Sequence, residues 1–383
     1  MLGAVITDAS AKMPPPMDTP DQPLIVARQP LYSPALLGGE DASHDVRAPG
    51  GYEWWYFDAD DVSTGRQIVA IFLHGFAFHP GYLRAYRRYT HRPKHNRPPV
   101  PDDFVCCYFA VYENGAVASQ FMSQWPAGEY SASRERPDVR IGVNRMTRDD
   151  DGSIVIHLQG APWTLGARGP VTHRDRVLGA TLTFRPLINA PAMERTFLSE
   201  RLTGAHHQWV IANPMCDVTG QIITGAASEP VVQTFSGRGY HDHNYGDAPI
   251  GPGLKRWMWG RVLLRDRVLT FHHVVPRDSG LPMETHLVQG SVDRLTELDP
   301  GDVRLDWAGQ TSMLLRYPRH VRLGGHLSLD NPRVIDMSPF YLRMKYDADA
   351  EGEKSTAFCE VAYPHRLRWP VLGRMIELSI DKR

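Results

Sequence analysis

"YEWWYFDADDVSTGRQIVAIFLH", residues 52–74, decides the fold class. It reads as an aromatic strand, a charged turn and an apolar strand ending in histidine. Side chains alternate between faces along a strand. Tyr52, Trp54 and Tyr56 therefore share one face, and Glu53, Trp55 and Phe57 the other. Aromatic and β-branched residues suit a pleated, half-buried surface, so both arms favour strand over helix. The unit returns at "KRWMWGRVLLRDRVLTFHH" (255–273). Two copies of one supersecondary unit predict two related domains that divide near 213–235.

The rest of the chain keeps this habit. "FVCCYFAVY" (104–112), "SIVIHL" (153–158), "VLGATLTFR" (177–185), "HQWVIA" (207–212), "FYLRMKY" (340–346) and "TAFCEVAY" (356–363) are short β-type runs between turn residues. Glycine and proline, 33 and 31 residues, supply many turns. No segment sustains a helical period over three or four turns, so the expectation is all-β, as barrels or sandwiches. One stretch interrupts the pattern: "HPGYLRAYRRYTHRPKHNRPPVPDD" (79–103) is basic, aromatic and proline-rich. It reads as a lid or a surface insertion, with Arg84, Arg87, Arg88 and Arg92 able to meet an anionic group. The proline-rich residues 1–37 read as an arm.

Composition narrows the function. At 383 residues, 42% hydrophobic and 22% charged, the chain has ample core material. A net charge of −1 argues against general affinity for nucleic acid or anionic membrane. No run of eighteen apolar residues offers an integral membrane segment. The N-terminus lacks the basic start and apolar run of a secretion signal. Cys106, Cys107, Cys216 and Cys359 form no CxxC spacing, which fits a reducing, cytoplasmic compartment. There is no G-x-S-x-G elbow, no Walker loop and no dinucleotide fingerprint.

Two clusters carry chemistry. "GRGYHDHNYGD" (237–247) packs His241, Asp242, His243, Asn244 and Tyr245 between glycines. By alternation His241, His243 and Tyr245 share a face, and Asp242 and Asn244 take the other. Histidine passes protons near neutrality. The run reads as a proton-handling site, a metal site or a hydrogen-bonded corner. A metal would need a third ligand such as His272, His273 or an acid, and no spaced set is evident, so no metal is expected. The second cluster is Glu53 among the aromatics of "YEWWYF", with Trp257 and Trp259 as a second aromatic patch. A partly buried carboxyl has a raised pKa and can stay protonated. Indole faces stabilise a carbocation. An aromatic cavity with an acid suits alkene protonation, dehydration or a pericyclic reaction.

"EWWYFDA", "HHQWVIANP" (206–214), "GRGYHDHNYGDAPI" and "RWMWGR" together resemble the carotenoid 1,2-hydratase (hydroxyneurosporene synthase) family. Its relatives include double-lipocalin-like proteins, kievitone hydratase and lipocalin-like Diels–Alderases. The motifs run in family order across residues 38 to 383. The resemblance implies two lipocalin-like antiparallel β-barrel domains in tandem, 38–215 and 216–383, with a ligand cavity near their junction. It implies cofactor-free protonation of a terminal isoprenoid double bond, followed by water attack on the tertiary cation. His243 matches the family's histidine and Tyr245 its partner aromatic, while the next strand, "VLTFHHVV", lacks the family's Tyr-x-Asp.

The combined expectation is a cofactor-independent hydratase or cyclase acting on an apolar polyene, terpenoid or polyketide-like molecule. The alternatives are a lipocalin-like pericyclase or isomerase, and a non-catalytic carrier of a hydrophobic small molecule. His243 is expected as acid/base, with Asp242 and His241 orienting or relaying, and with Glu53 and Tyr245 beside them. Trp54, Tyr56, Trp257, Trp259 and His272 are expected to line the substrate cavity.

Overall fold

The structure, a computed structural model, describes residues 40–383 apart from 168, 198–206, 252 and 278–279. The arm expected over residues 1–37 lies outside the described residues.

The chain is mostly strand, as its alternation predicts. The first sheet is 13-stranded, and almost all of its neighbours run antiparallel. Its centre is β1 (Tyr52–Asp61), flanked by β2 (Arg66–His74), which is followed outward by β3 (Val105–Glu113) and β4 (Ala116–Trp125). On its other side β1 pairs with one arm of a long hairpin, β5 (His207–Ala226) and β6 (Glu229–Gly246). The second, 9-stranded sheet includes β7 (Leu254–Leu263). β7 pairs with β8 (Arg267–Pro276) on one side and, on the other, with the last of three later strands, β9 (Leu327–Met337), β10 (Tyr341–Ala350) and β11 (Glu353–Ala362), so that β10 and then β9 lie outward of β11. Each of the two similar stretches forms an antiparallel hairpin, β1–β2 in the first sheet and β7–β8 in the second.

The division expected at 215/216 falls inside β5, whose whole length is hydrogen-bonded to β6 in the first sheet. The passage between sheets comes later, between Gly246 and Leu254. The sequence reading missed this because "HQWVIA" looked like the end of a strand, whereas polar residues beyond it continue the ladder. The final β12 (Asp381–Lys382) returns to pair in parallel with β4 of the first sheet.

Alternation fixes what each face does. Trp55, Phe57, Phe72, Phe109, Phe121 and Phe184 fill the hollow of the first sheet. Met258, Phe271, Leu342, Met344 and Val361 fill that of the second. The opposite faces meet: Tyr52, Tyr56, Trp209 and Tyr240 of the first sheet pack with Trp257, Trp259 and Phe358 of the second. The ring centroids of Tyr56 and Trp259 lie 5.4 Å apart, and those of Tyr240 and Trp259 5.1 Å. Buried Arg261 reaches across to Asp58 and, at 2.7 Å, to Asp60, which Lys345 also meets at 2.8 Å.

Residues 79–103, expected as a lid or a surface insertion, begin with a helix, α1 (Pro80–His91). Pro80 sits in its first turn, where a missing N–H costs nothing. The His79 ring Nδ1 accepts from the Gly81 and Tyr82 amides and caps it. Arg84 is engaged by Glu377 of the helix α2 (Pro370–Leu378).

Candidate active site between the sheets

The "GRGYHDHNYGD" run forms the end of β6, clamped between β1 and β5. Gly237 and Gly239 let β1 approach. A Cβ at Gly237 would stand 2.2 Å from the Asp60 carbonyl oxygen, and one at Gly239 2.6 Å from that of Asp58. The pairing with β5 shifts register twice between Ile211 and Cys216, which bends the hairpin beside the motif.

Alternation then splits the motif. Asp242 and Asn244 face the second sheet and line a cavity of about 210 Å³. Its walls include Trp54, Tyr56, Trp209, Trp257, Trp259 and His272. All five residues expected to line a cavity are therefore in one. His241, His243, Glu53 and Tyr245 are not among its lining residues. The alternation holds, and the face that meets the cavity is the one bearing Asp242 and Asn244, not the histidine face. The latter is the inward face of the first sheet, where His241 stacks on Phe57 at 4.0 Å and His243 on Trp55 at 4.5 Å.

Asp242 is buried. Its Oδ2 accepts from the Trp209 indole and from the Tyr240 hydroxyl, both at 2.8 Å, and its Oδ1 accepts from the Asn244 amide at 2.8 Å. Burial outweighs these bonds and pushes the carboxyl up to about 7. His272 is buried and held in its neutral form, well below the ordinary imidazole value, by desolvation first and by neighbouring histidines second. Burial also lowers His207, which lines the same cavity, to about 3.

A second polar group closes the cavity on the other side. Arg343 Nε donates to Glu360 at 2.8 Å, and its Nη1 donates to the hydroxyls of Tyr108 and Tyr112 at 2.7 Å each. Tyr56 donates to Glu360 at 3.2 Å. Sequence reading passed over Arg343 and Glu360. Their signal was present: charges within the apolar runs "FYLRMKY" and "TAFCEVAY" imply buried, paired groups. Only the register makes them cross-strand partners.

Behind β6, His241 Nδ1 meets the Tyr56 carbonyl oxygen at 2.8 Å, and its Nε2 meets Asp41 at 3.0 Å. His243 Nε2 stands 3.0 Å from Glu53 Oε1, and Tyr245 donates to Glu194 at 2.9 Å. Glu53 was expected to be protonated. Burial does press its pKa upward, but hydrogen bonds from His243 and His44 reverse this and hold it well below the carboxylate range. His44, Glu53 and His243 bring one ligand-type atom each within 4.8 Å of one another, a set the sequence spacing did not reveal.

The chain matches the family described as carotenoid hydratase CrtC over residues 71–383. A protein of Chlorobaculum tepidum named hydroxyneurosporene dehydrogenase is 31% identical over 318 residues, 79% of this chain and 79% of that protein. An acyclic carotenoid 1,2-hydratase of Thiocapsa roseopersicina is 27% identical over 358 residues, 90% of this chain and 78% of that protein. Among solved structures, an AttH-type protein of Nitrosomonas europaea is similar in fold, with a TM-score of 0.56 at 15% identity, covering 88% of this chain and 98% of that one.

Proposed function

The chain belongs to the carotenoid hydratase CrtC family, and from that premise we propose that it is a hydro-lyase adding water to the terminal double bond of an acyclic isoprenoid polyene. One observation carries the reading: Asp242, a buried carboxyl titrating near neutrality, stands in the wall of an aromatic cavity. A general acid works best with a pKa near the operating pH.

In this mechanism the Asp242 proton goes to the less substituted alkene carbon. The π electrons form the new C–H bond and leave a tertiary cation. Trp209, Tyr240 and Asn244 already donate to the carboxylate left behind. Trp259, Trp257 and Trp54 offer ring faces to the cation, each contributing about 0.5–2 kcal/mol when desolvated. Water attacks the cation, and its spare proton returns to Asp242 through neutral His272. All atoms of the product come from alkene and water, and no electrons are exchanged, so no cofactor is needed. The cavity, at about 210 Å³, is smaller than the roughly 300–1,000 Å³ that encloses a drug-sized ligand. It therefore suits the end of a long chain. His241, His243, Glu53 and Tyr245 support the strand from behind.

The test is turnover of an acyclic carotenoid by the purified, cofactor-free protein in isotopic water. The expected product carries oxygen-18 in a new tertiary hydroxyl and, from deuterium oxide, one fixed deuterium on the adjacent carbon. Polyene recovered bound and chemically unchanged would make the protein a carrier and overturn the proposal.

A further inference from the structure

The face of β6 turned away from the cavity holds a second constellation that the hydration reaction does not use. His243 Nδ1 lies 3.3 Å from the Glu40 carbonyl oxygen, an acceptor that only an N–H can satisfy. The ring's lone pair is then on Nε2, 3.0 Å from Glu53 Oε1. When the ring is neutral two electron pairs face each other there, and a bound cation, a proton or a metal ion, resolves the repulsion. His44 Nδ1 joins from a third side, 3.3 Å from the same oxygen. His74 repeats the pattern at the other carboxylate oxygen. Its Nε2 meets Asp102 at 2.6 Å, so its Nδ1 carries the lone pair. That Nδ1 is buried, has no hydrogen-bond partner among the described residues, and stands 4.0 Å from Glu53 Oε2. A histidine bonded on one nitrogen to a carboxylate or carbonyl, with the other nitrogen facing a shared centre, is the outer-shell arrangement of metal-ligating imidazoles.

We propose that His44 Nδ1, His243 Nε2 and Glu53 Oε1 bind a zinc ion. Zinc takes imidazole and carboxylate ligands at about 2.0–2.2 Å in a tetrahedron, which sets neighbouring ligand atoms about 3.3 Å apart. The separations of 3.0 and 3.3 Å already match. His241 is not a ligand, because Tyr56 and Asp41 occupy both of its nitrogens. The site is structural. It ties residue 44, ahead of the first strand, to β1 and β6, and so braces from behind the strand that carries Asp242. It is independent of the hydratase reading.

The test is calorimetric titration of zinc chloride into the full-length protein after chelator treatment and buffer exchange. His44 is partly exposed, so His44→Ala is the variant least prone to misfold, and its circular dichroism spectrum serves as the fold control. The expected result is one zinc per chain with submicromolar Kd, weakened about 100-fold or more in His44→Ala. Cobalt in place of zinc is expected to give the visible absorption of a tetrahedral site, lost in the same variant. Absence of saturable binding would mean that a proton occupies the gap instead, and overturns the proposal. Zinc binding that survives His44→Ala unchanged places the ion elsewhere and overturns it equally.

Discussion

Asp242 and His243 are consecutive residues on opposite faces of one strand. The Asp242 carboxyl accepts from Trp209 and Tyr240 in the wall of the inter-sheet cavity. The His243 ring stacks on Trp55 and meets Glu53 inside the first sheet. A single strand thus separates two environments. One is aromatic and cation-stabilising around an acid pushed toward neutrality. The other is a network of histidines and carboxylates that holds an ionised Glu53.

Asp242→Asn removes the proton and keeps an oxygen for Trp209 and Tyr240. Hydration is expected to fall by about 10²–10⁴-fold, the scale of general acid catalysis. The substitution replaces a buried carboxyl with a neutral isostere, so the melting temperature at pH 7 should hold or rise. Single-turnover rates and thermal unfolding on the same preparation check this. An Asp242→Asn protein with wild-type turnover would remove Asp242 from the mechanism.

The pH dependence follows from the same group. The Asp242 pKa is raised from 3.8 to about 7 on folding. The folded protein therefore binds the extra proton between these values. The stability this contributes is full below the lower value and is lost as pH rises through about 7. The catalytic proton disappears over the same range. Turnover is expected to decline above neutrality, and Asp242→Asn should gain stability relative to the parent between pH 5 and pH 8. A rate that climbs through pH 7 would contradict the assignment.

Much of this was legible from residues 52–74 and 237–247 alone. Each of the two similar stretches forms a hairpin, one per sheet, and alternation separates Tyr52, Trp54 and Tyr56 from Glu53, Trp55 and Phe57 as the structure does. Which face meets a ligand was not legible. That depends on which side the second sheet covers, and neither period nor composition encodes it. The zinc ligands were hidden for a related reason. His44 lies in a short segment without strand pattern, and β1 meets β6 only through long-range pairing. Helix α1 escaped notice because its apolar face is narrow: Pro80 and Tyr82 are its only buried side chains.

Trp259 stands between Tyr56 and Tyr240 in the cavity wall. If its ring stabilises the cation, Trp259→Phe should retain much of the rate. Trp259→Leu should lose up to about 2 kcal/mol of transition-state stabilisation, roughly 30-fold in kcat. KM should move less, because the charge exists only after protonation. Kinetics must be run where both variants are folded, since the truncation also opens space in the wall. Equal kcat for the two variants would assign Trp259 to shape alone.

The last prediction concerns the clamp between the sheets. Arg261 is fully enclosed and serves Asp58 and Asp60, while Lys345 reaches only Asp60. Arg261→Met would keep the volume and leave the Asp58 carboxylate buried without a counter-charge. Breaking such a pair costs about 3–5 kcal/mol. Burial already lifts the Asp58 pKa to about 6, and Arg261 is the chief opposing influence. Without the guanidinium that pKa rises further, so the folded variant escapes the penalty by taking up a proton. The sign follows: stability of Arg261→Met is greatest at low pH and is lost as pH rises through the new folded value. Denaturant unfolding at pH 5 and pH 8 measures this. The loss relative to the parent is expected to be larger at pH 8. A second replacement, Asp58→Asn, is expected to recover much of it. An equal loss at both pH values, or no recovery in the double variant, would show that the guanidinium's packing rather than its charge holds the sheets together.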